Sequence, residues 1–278
     1  MNTDIKLVAL DLDRTTLNSE SHLSEVNRQA LIDAISNGVH VCIASGRAFD
    51  TLPEDIISVP GIEYAITSNG AAIYRITGKE CLKSYLLTPS SVKTILNLTA
   101  NDTVTYEAFI KGQAFASTEY IRHPEKYGAT EHSLAYVKKT RLLKDDIKGF
   151  ILEHCHELDS LDIVVVDEEL KKDIMDRIRK ATDEVYMTSS ISQLLEISYK
   201  DAGKKSGVKF LTEYLGLSRE NVAAFGDADN DTDMIEYAGT GIAMENAAPH
   251  LKEIADHITL HHDKDGVAYA FRNILNIC

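Results

Sequence analysis

The sequence predicts an α/β fold, in which a core with a parallel sheet and helices on both faces is interrupted by an inserted α+β domain. Near both ends of the chain, short apolar runs typical of buried strands alternate with amphipathic segments typical of helices. Between them the strands lie closer together and carry hairpin signals, which indicates antiparallel pairing. The length of 278 residues exceeds one typical domain, so we expect two.

The first part of the core contains strands and a helix in the order of a βαβ unit. Residues 24–37 carry apolar side chains on one helical face, and Ser24 and Gly38 occupy the positions of an N-cap and of a C-terminal capping glycine. The strands are expected at residues 5–10, 39–44 and 64–67. Strand, helix and strand at this spacing predict parallel pairing through a right-handed connection.

The inserted domain is expected to span residues 85–198, where the strand pattern changes. Residues 110–112, Ile-Lys-Gly, separate two strand-like runs and are typical of a hairpin turn. The expected strands are residues 104–109, 113–116, 162–166, 185–188 and 194–198, and the expected helices are residues 145–154 and 168–181.

The parallel pattern resumes after this insert, so residues 1–84 and 199–278 are expected to form one discontinuous core domain. The helices are expected at residues 204–215, 232–238, 248–255 and 266–275, and the strands at residues 222–225, 241–244 and 258–260. The first of these helices directs Val208, Leu211 and Leu215 to one side, as a helix packed on a sheet requires.

The composition excludes several classes of partner. With 29 basic and 43 acidic residues the formal net charge is −14, and an acidic surface repels nucleic acid and anionic membranes. The four cysteines are far apart and form no CxxC pair, so no disulfide framework is expected. The apolar run at residues 5–12 is too short for a signal peptide or a membrane span. We therefore expect a cytoplasmic protein, as a monomer or weak homodimer.

Two carboxylates follow the first predicted strand. Asp11 and Asp13 are two residues apart in an extended segment, so their side chains point the same way. One carboxylate could attack phosphorus while the other transfers protons. A bound Mg²⁺ would relieve the repulsion between carboxylate and phosphate. An isolated pair of this kind is also common in solvated loops.

Two further polar segments suit phosphate binding. Ser45-Gly46-Arg47 follows the second strand and offers a hydroxyl and free amides at a helix start, although an ordinary N-cap and turn would have the same sequence. Lys204 begins a helix, where its ammonium could hold a phosphate oxygen. The adjacent Lys205 shows that a solvated lysine is the simple alternative here.

The last polar cluster lies between a predicted strand and a helix. Asp227 could bind a metal directly, with Asn230 and Asp231 around it. An EF-hand calcium loop is excluded because its sixth and twelfth positions hold Thr232 and Ala238 instead of glycine and glutamate. Since the carboxyl ends of parallel strands meet at one sheet edge, where open α/β folds bind ligands, all these clusters are expected at one site.

With this ordered set of motifs the sequence resembles the haloacid dehalogenase superfamily, specifically the Cof-type phosphatases with a large α/β cap (type IIB). The matching segments include ALDLDRTTLN, ASGR, TSNGA, KKSGVKFL and FGDADNDTDMIEYAG, and the resemblance covers essentially the whole chain. It implies a Rossmann-like core, a mobile cap inserted after the third core strand, Mg²⁺ as the cofactor and a small phosphorylated metabolite as the substrate.

The resemblance also implies roles for individual residues. Asp11 would be the nucleophile and Asp13 the general acid/base. Mg²⁺ would be held by the Asp11 carboxylate, the Asp13 backbone carbonyl and Asp227, with Asp231 supporting the metal shell. Phosphate and substrate would be bound by the Leu12 amide, Ser45, Gly46, Arg47, Lys204 and Asn230. Arg47, together with Asn69, would face the cleft between cap and core.

The sequence departs from the family pattern at two places. Arg14 stands where the family usually has glycine, a residue that permits a tight turn, so the loop could tilt or gain a cation near the substrate. Lys205 and Gly207 replace the usual small residues around the motif lysine. Neither change removes a group that the chemistry needs.

The sequence therefore predicts a Mg²⁺-dependent phosphatase that forms an aspartyl-phosphate intermediate. Sugar phosphates are the first expected substrates, followed by nucleotide or cofactor phosphates. A phosphosugar mutase or phosphotransferase with the same intermediate is the alternative, since fold does not fix function. A non-catalytic sensor is a third hypothesis, against which the intact aspartate pair argues because binding alone does not need it.

Overall fold

The computed structural model describes residues 4–128 and 131–278. The strands are β1 (Leu7–Leu10), β2 (His40–Ala44), β3 (Tyr64–Thr67), β4 (Ala72–Arg75), β5 (Glu80–Ser84), β6 (Val104–Ile110), β7 (Gln113–Ser117), β8 (Leu142–Lys144), β9 (Leu158–Val165), β10 (Val185–Thr188), β11 (Leu194–Tyr199), β12 (Val222–Gly226), β13 (Thr240–Ala243) and β14 (His257–Ile258). The helices are α1 (Glu25–Ser36), α2 (Glu54–Ile57), α3 (Pro89–Leu98), α4 (Thr118–Arg122), α5 (Glu131–Thr140), α6 (Ile147–Glu153), α7 (Glu168–Ala181), α8 (Lys204–Tyr214), α9 (Thr232–Tyr237), α10 (Pro249–Ile254) and α11 (Gly266–Ala270).

The chain divides into two compact units. The first unit contains the chain up to Arg47, Leu52–Lys83 and Gly203–Cys278. The second contains Ser84–Ala202 and also the short segment Ala48–Thr51. No sequence pattern pointed to this short segment, which joins the second unit through apolar contacts of Ala48 with Phe109 and Ala114. Over the described ranges, no helix is long and apolar enough to cross a membrane.

The first unit is built on an eight-stranded sheet in the order β14-β13-β12-β1-β2-β3-β4-β5. The six strands from β14 to β3 are parallel to their neighbours, which confirms the predicted α/β fold with a parallel sheet. The central strand β1 pairs Leu7 with Val222 of β12 on one side and with His40 of β2 on the other. All four residues of β1 are buried, as the uninterrupted apolar run predicted.

Two strands at one end of this sheet were not predicted. β4 is antiparallel to β3, and β5 lies beyond β4. The turn between β3 and β4 uses positive φ angles at Ser68, Asn69 and Gly70. Asn-Gly is a strong hairpin signal, but β5 carries mostly exposed residues and therefore has no apolar run to reveal it.

The second unit contains a six-stranded sheet in the order β10-β11-β9-β6-β7-β8. Its strands are antiparallel except for β7 and β8. One face of the sheet buries Tyr106, Leu161 and Ile197 together with Val92 and Ile174 from helices α3 and α7. The second unit therefore has an apolar core of its own.

Several boundaries of this unit differ from the prediction. β9 begins at Leu158, four residues before the predicted start. The prediction was wrong because Asp159 and Ser160 interrupt the apolar run of the sequence, although both residues are buried in the strand. Helix α3 was not predicted, yet the Thr88 side chain accepts from the Ser91 N–H and Pro89 occupies the first helical turn. Threonine followed by proline signals the start of a helix. The apolar pattern around it is typical of strands, so no helix was predicted here.

Candidate active site

The loop after β1 is fixed by backbone and hydroxyl hydrogen bonds. The Asp11 N–H donates to the Phe225 carbonyl of β12 at 3.1 Å. The Thr16 hydroxyl donates to the Asp11 carbonyl at 2.6 Å, and the Leu17 N–H donates to the Leu12 carbonyl at 2.8 Å. These bonds hold a tight turn at the carboxyl end of β1, with Asp11 only 6% exposed.

Arg14 forms this turn in the left-handed conformation. Its φ of 61° lies in the region that glycine favours, and a non-glycine residue there costs about 1–2 kcal/mol. The loop thus keeps the conformation that the usual glycine would permit. The Arg14 Nε lies 3.8 Å from Asp227 Oδ2, and Asn246 donates to the Arg14 carbonyl at 2.8 Å. The departure from the family pattern therefore places an additional cation beside a predicted metal ligand.

Lys204 is completely buried at the start of α8. Its Nζ lies 2.6 Å from Asp11 Oδ1 and 2.6 Å from Asp231 Oδ1. Burial alone lowers the pKa of Lys204, but the charges of the two carboxylates outweigh burial and hold the pKa well above its usual value. The alternative of a solvated lysine is wrong for Lys204, whereas Lys205 is exposed.

Three carboxylates surround this ammonium. Oxygen atoms of Asp11, Asp227 and Asp231 all lie within 4.8 Å of one another, and all three residues are buried. When all three carboxylates are ionised, their charge exceeds that of the Lys204 ammonium by two negative charges. Burial, followed by the charge of Asp231, raises the pKa of Asp11 well above its usual range and that of Asp227 to about 7. Buried carboxylate oxygens with this excess charge fit a hard divalent cation.

Asp231 organises the loop after β12. Its Oδ2 accepts from the backbone N–H groups of Asp227 at 2.9 Å and Ala228 at 3.0 Å, while its Oδ1 contacts Lys204. A Cβ on Gly226 would approach the Asp231 Cβ to 2.4 Å, so glycine is needed where this side chain folds back. Asp231 therefore fixes the backbone at Asp227, the predicted metal ligand.

Asp13 lies in a different environment from Asp11. Its side chain is half exposed and forms a two-point ion pair with Arg47, with Nε to Oδ2 at 2.8 Å and a terminal nitrogen to Oδ1 at 2.6 Å. Among the described residues, the carboxylate group that could hold a metal does not include the Asp13 side chain. One carboxylate is thus buried beside an ammonium, and the other is held near solvent by a guanidinium.

The other predicted phosphate-binding residues lie in the loops that follow β1, β2 and β12. Ser45 is buried, and its hydroxyl accepts from the Arg47 N–H at 3.2 Å. Gly46 is half-buried beside it, and Leu12 is buried in the loop after β1. Asn230 is 5% exposed, and its Nδ2 donates to Asn69 Oδ1 at 3.0 Å. The resemblance predicted that Asn69 faces the cleft between cap and core, and it did not predict the contact of Asn69 with Asn230.

One further group of possible metal ligands lies among the residues that the structure describes. It consists of the consecutive residues His261, His262 and Asp263, whose spacing is not that of a typical metal site. His262 Nδ1 donates to the Leu17 carbonyl at 3.0 Å, and the Asp263 carboxylate accepts from the N–H and hydroxyl of Ser19. These atoms already have protein partners that tie the loop after β1 to the C-terminal segment.

The chain resembles known proteins over almost its whole length. Residues 8–271 match the family model described as haloacid dehalogenase-like hydrolase. The chain is 30% identical to the Bacillus subtilis 5-amino-6-(5-phospho-D-ribitylamino)uracil phosphatase YcsE, covering 98% of this chain and 96% of that protein. It is also 30% identical to the B. subtilis phosphatase YwpJ, covering 98% and 100%. A solved haloacid dehalogenase-like hydrolase from B. subtilis superposes with a TM-score of 0.83 at 26% identity, covering 98% and 100%.

Proposed function

The chain belongs to the haloacid dehalogenase-like hydrolases, and within this family we propose that it is a Mg²⁺-dependent phosphatase of a small phosphorylated metabolite. The observation that carries the proposal is the buried group of three carboxylates around the Lys204 ammonium. A relative of 30% identity acts, by its name, on a phosphoribitylamino uracil, which is a small phosphate ester. Sugar phosphates and related sugar-alcohol phosphates are therefore the first candidates.

The residues present fit Mg²⁺ because they offer oxygen ligands whose negative charge, once they are ionised, exceeds that of the Lys204 ammonium. The Asp11 and Asp227 carboxylates and the Asp13 backbone carbonyl would hold the ion, and Asp231 would support Asp227. When bound, the ion supplies positive charge next to the phosphate oxygens, which lowers the repulsion that a carboxylate nucleophile meets.

The first step transfers the phosphoryl group to the protein. A carboxylate oxygen of Asp11 forms a bond to phosphorus while the bond between phosphorus and the ester oxygen breaks. Asp13, as the carboxylic acid, gives its proton to the departing oxygen, so an alcohol leaves. Lys204 lies 2.6 Å from Asp11 and helps to orient the attacking carboxylate.

The second step returns the protein to its starting state. The Asp13 carboxylate takes a proton from water, and the water oxygen attacks phosphorus as the bond from phosphorus to Asp11 breaks. Inorganic phosphate leaves, and Asp11 is again a carboxylate. Arg47 orients the ionised Asp13 carboxylate for this proton transfer through its two-point ion pair.

Non-bridging phosphate oxygens would be held by the backbone and side chains at the strand ends. The Leu12 amide, the Ser45 hydroxyl, Gly46 and Asn230 are the proposed donors. Ser45 and Asn230 are buried, so hydrogen bonds that they form to a charged oxygen would be little weakened by water.

Phosphate release from a panel of esters, with Mg²⁺ and with EDTA, tests the proposal. We expect release that requires Mg²⁺ and is abolished by Asp11→Asn. Asp229→Asn is the matched control, because Asp229 is an exposed aspartate in the same loop as Asp227 but outside the carboxylate group. Turnover by Asp11→Asn near the wild-type rate would refute the mechanism, and an isomerised product without free phosphate would refute the hydrolase.

A further inference from the structure

The turn after β3 brings one buried side chain into contact with other loops of the site. Asn69 is 3% exposed and adopts the left-handed conformation, with φ 51° and ψ 42°. Its N–H donates to the Ser45 carbonyl at 3.1 Å, and its carbonyl accepts from the Gly203 N–H at 3.0 Å. Its side-chain Oδ1 accepts from Asn230 Nδ2 at 3.0 Å.

Each of these partners belongs to a different loop of the candidate site. Ser45 follows β2, Gly203 directly precedes Lys204 at the start of α8, and Asn230 lies in the loop after β12. A single residue thus forms hydrogen bonds to three loops that are far apart in sequence.

The backbone leaves little freedom for this contact to shift. A Cβ on Gly70 would approach the Gly203 carbonyl oxygen to 1.9 Å, so the turn and the start of α8 are packed backbone against backbone. Gly203 provides no side-chain cap for α8. The first turn of α8, which carries Lys204, is therefore located partly by the Asn69 turn.

We propose that Asn69 is a positioning residue that orients Asn230 and sets the spacing of the Ser45 and Lys204 loops for phosphate binding. This inference rests on the proposed phosphatase function. An asparagine amide has two N–H groups, and the bond to Asn69 occupies one of them. The other is then aimed in a fixed direction and can donate to a phosphate oxygen without first losing rotational freedom.

The conformation of Asn69 permits a clean substitution. Glycine adopts the left-handed region readily, so Asn69→Gly keeps the two backbone hydrogen bonds and removes the carboxamide. Asn276 is the matched control, because it is also a left-handed asparagine, with φ 54°, and lies at the C-terminal end of the core unit. Asn276→Gly therefore reports the cost of the same exchange away from the site.

A double-mutant cycle of Asn69→Gly and Asn230→Ala tests the inference. We expect kcat/KM to fall about 3–10-fold in Asn69→Gly and about 10–100-fold in Asn230→Ala, as for loss of a neutral and a charged hydrogen bond. Since Asn69 acts through Asn230, the double variant should lose about as much as Asn230→Ala alone. The inference would be overturned if the fold-losses of kcat/KM in the two single variants multiplied in the double variant. It would also be overturned if kcat/KM of Asn69→Gly equalled that of wild type.

The same cycle read by calorimetric titration with inorganic phosphate separates this inference from the proposed function. The double variant should lose about as much phosphate affinity as Asn230→Ala alone, and this holds even if the protein turns over no ester. A wild-type protein that binds phosphate but releases none from esters would refute the phosphatase alone. An active wild type with independent losses would refute the role of Asn69 alone, and a wild type that neither binds nor releases phosphate would refute both.

Discussion

Replacing Lys204 by methionine removes the cation on which two buried carboxylates depend. Lys204 is fully buried, and its Nζ is 2.6 Å from both Asp11 and Asp231. Loss of one partner of a buried ion pair costs about 3–5 kcal/mol, and because this lysine has two partners we expect the upper half of that range. Asp11 and Asp231 would then repel each other without a compensating charge.

The assay is urea unfolding in EDTA at pH 8, with Lys205→Met as the control. Lys205 is the exposed neighbour, so its replacement should change the free energy of unfolding by less than about 0.5 kcal/mol. In Lys204→Met, the urea concentration at the midpoint of unfolding should fall sharply while the m value stays unchanged.

The defect of Lys204→Met should also depend on pH. In the variant the folded-state pKa of Asp11 rises further above its unfolded value, so stability is lost as pH rises and is regained as pH falls. The difference from wild type should therefore shrink between pH 8 and pH 5. A loss below about 1 kcal/mol at pH 8, or one equal to that of Lys205→Met, would refute this account of the buried charges.

Three other outcomes are expected. Arg14→Gly should tighten Mg²⁺ binding about 3–10-fold by calorimetry, because the guanidinium 3.8 Å from Asp227 competes with the ion but is largely exposed. Burial raises the folded pKa of Asp159 from 3.8 to about 6, so ionising this side chain destabilises the fold as pH rises. Between pH 4 and pH 7, the free energy of unfolding by urea should therefore fall by about 2 kcal/mol more in wild type than in Asp159→Asn. Gly70→Ala should cost about 3 kcal/mol in the same assay, because a Cβ there meets the Gly203 carbonyl.

Each of these predictions has a control. Arg14→Lys keeps the positive charge and should leave the Mg²⁺ affinity close to wild type, so a gain equal to that of Arg14→Gly would contradict the electrostatic reason. If the free energy of unfolding changed with pH in the same way in wild type and in Asp159→Asn, the stated titration of Asp159 would be wrong. Gly216→Ala shares the positive φ of Gly70 but has no atom within 4 Å of the added Cβ, so it should cost only about 1 kcal/mol.

Apolar patterning predicted most of the parallel core because buried strands must be continuously apolar. β5 could not be recognised in this way, since this exposed edge strand carries no such pattern. β4 is a run of only four residues, Ala72–Arg75, that follows β3 through the turn at Asn69. In the second unit, buried Asp159 and Ser160 hid the start of β9 for the opposite reason, because polar residues stand within a buried strand.

Asp11, Ser45 and Asp227 could be named as candidates from the sequence because each follows a strand of the parallel sheet, and the ends of β1, β2 and β12 lie at a common edge. Lys204 follows no strand of this sheet and was named because it begins a helix. Their relations could not be predicted in the same way. The pairing of Asp13 with Arg47 depends on how two loops fold. The left-handed turn at Arg14 contradicts the preference of its residue type, so only the structure reveals it.

The order of strands in the core sheet has a consequence for synthesis of the chain. β1 lies between β2, which follows closely in sequence, and β12, which begins about 210 residues later. At about 5–20 residues per second, translation leaves this side of β1 without its partner for about 10–40 s. The whole second unit is synthesised within that interval, whereas Asp11 meets Asp227 only when the last quarter of the chain has begun to emerge. An unpaired apolar strand edge is a template for aggregation of the nascent chain. The strands that are synthesised last therefore cover this edge of β1 as well as bringing Asp227 to the site.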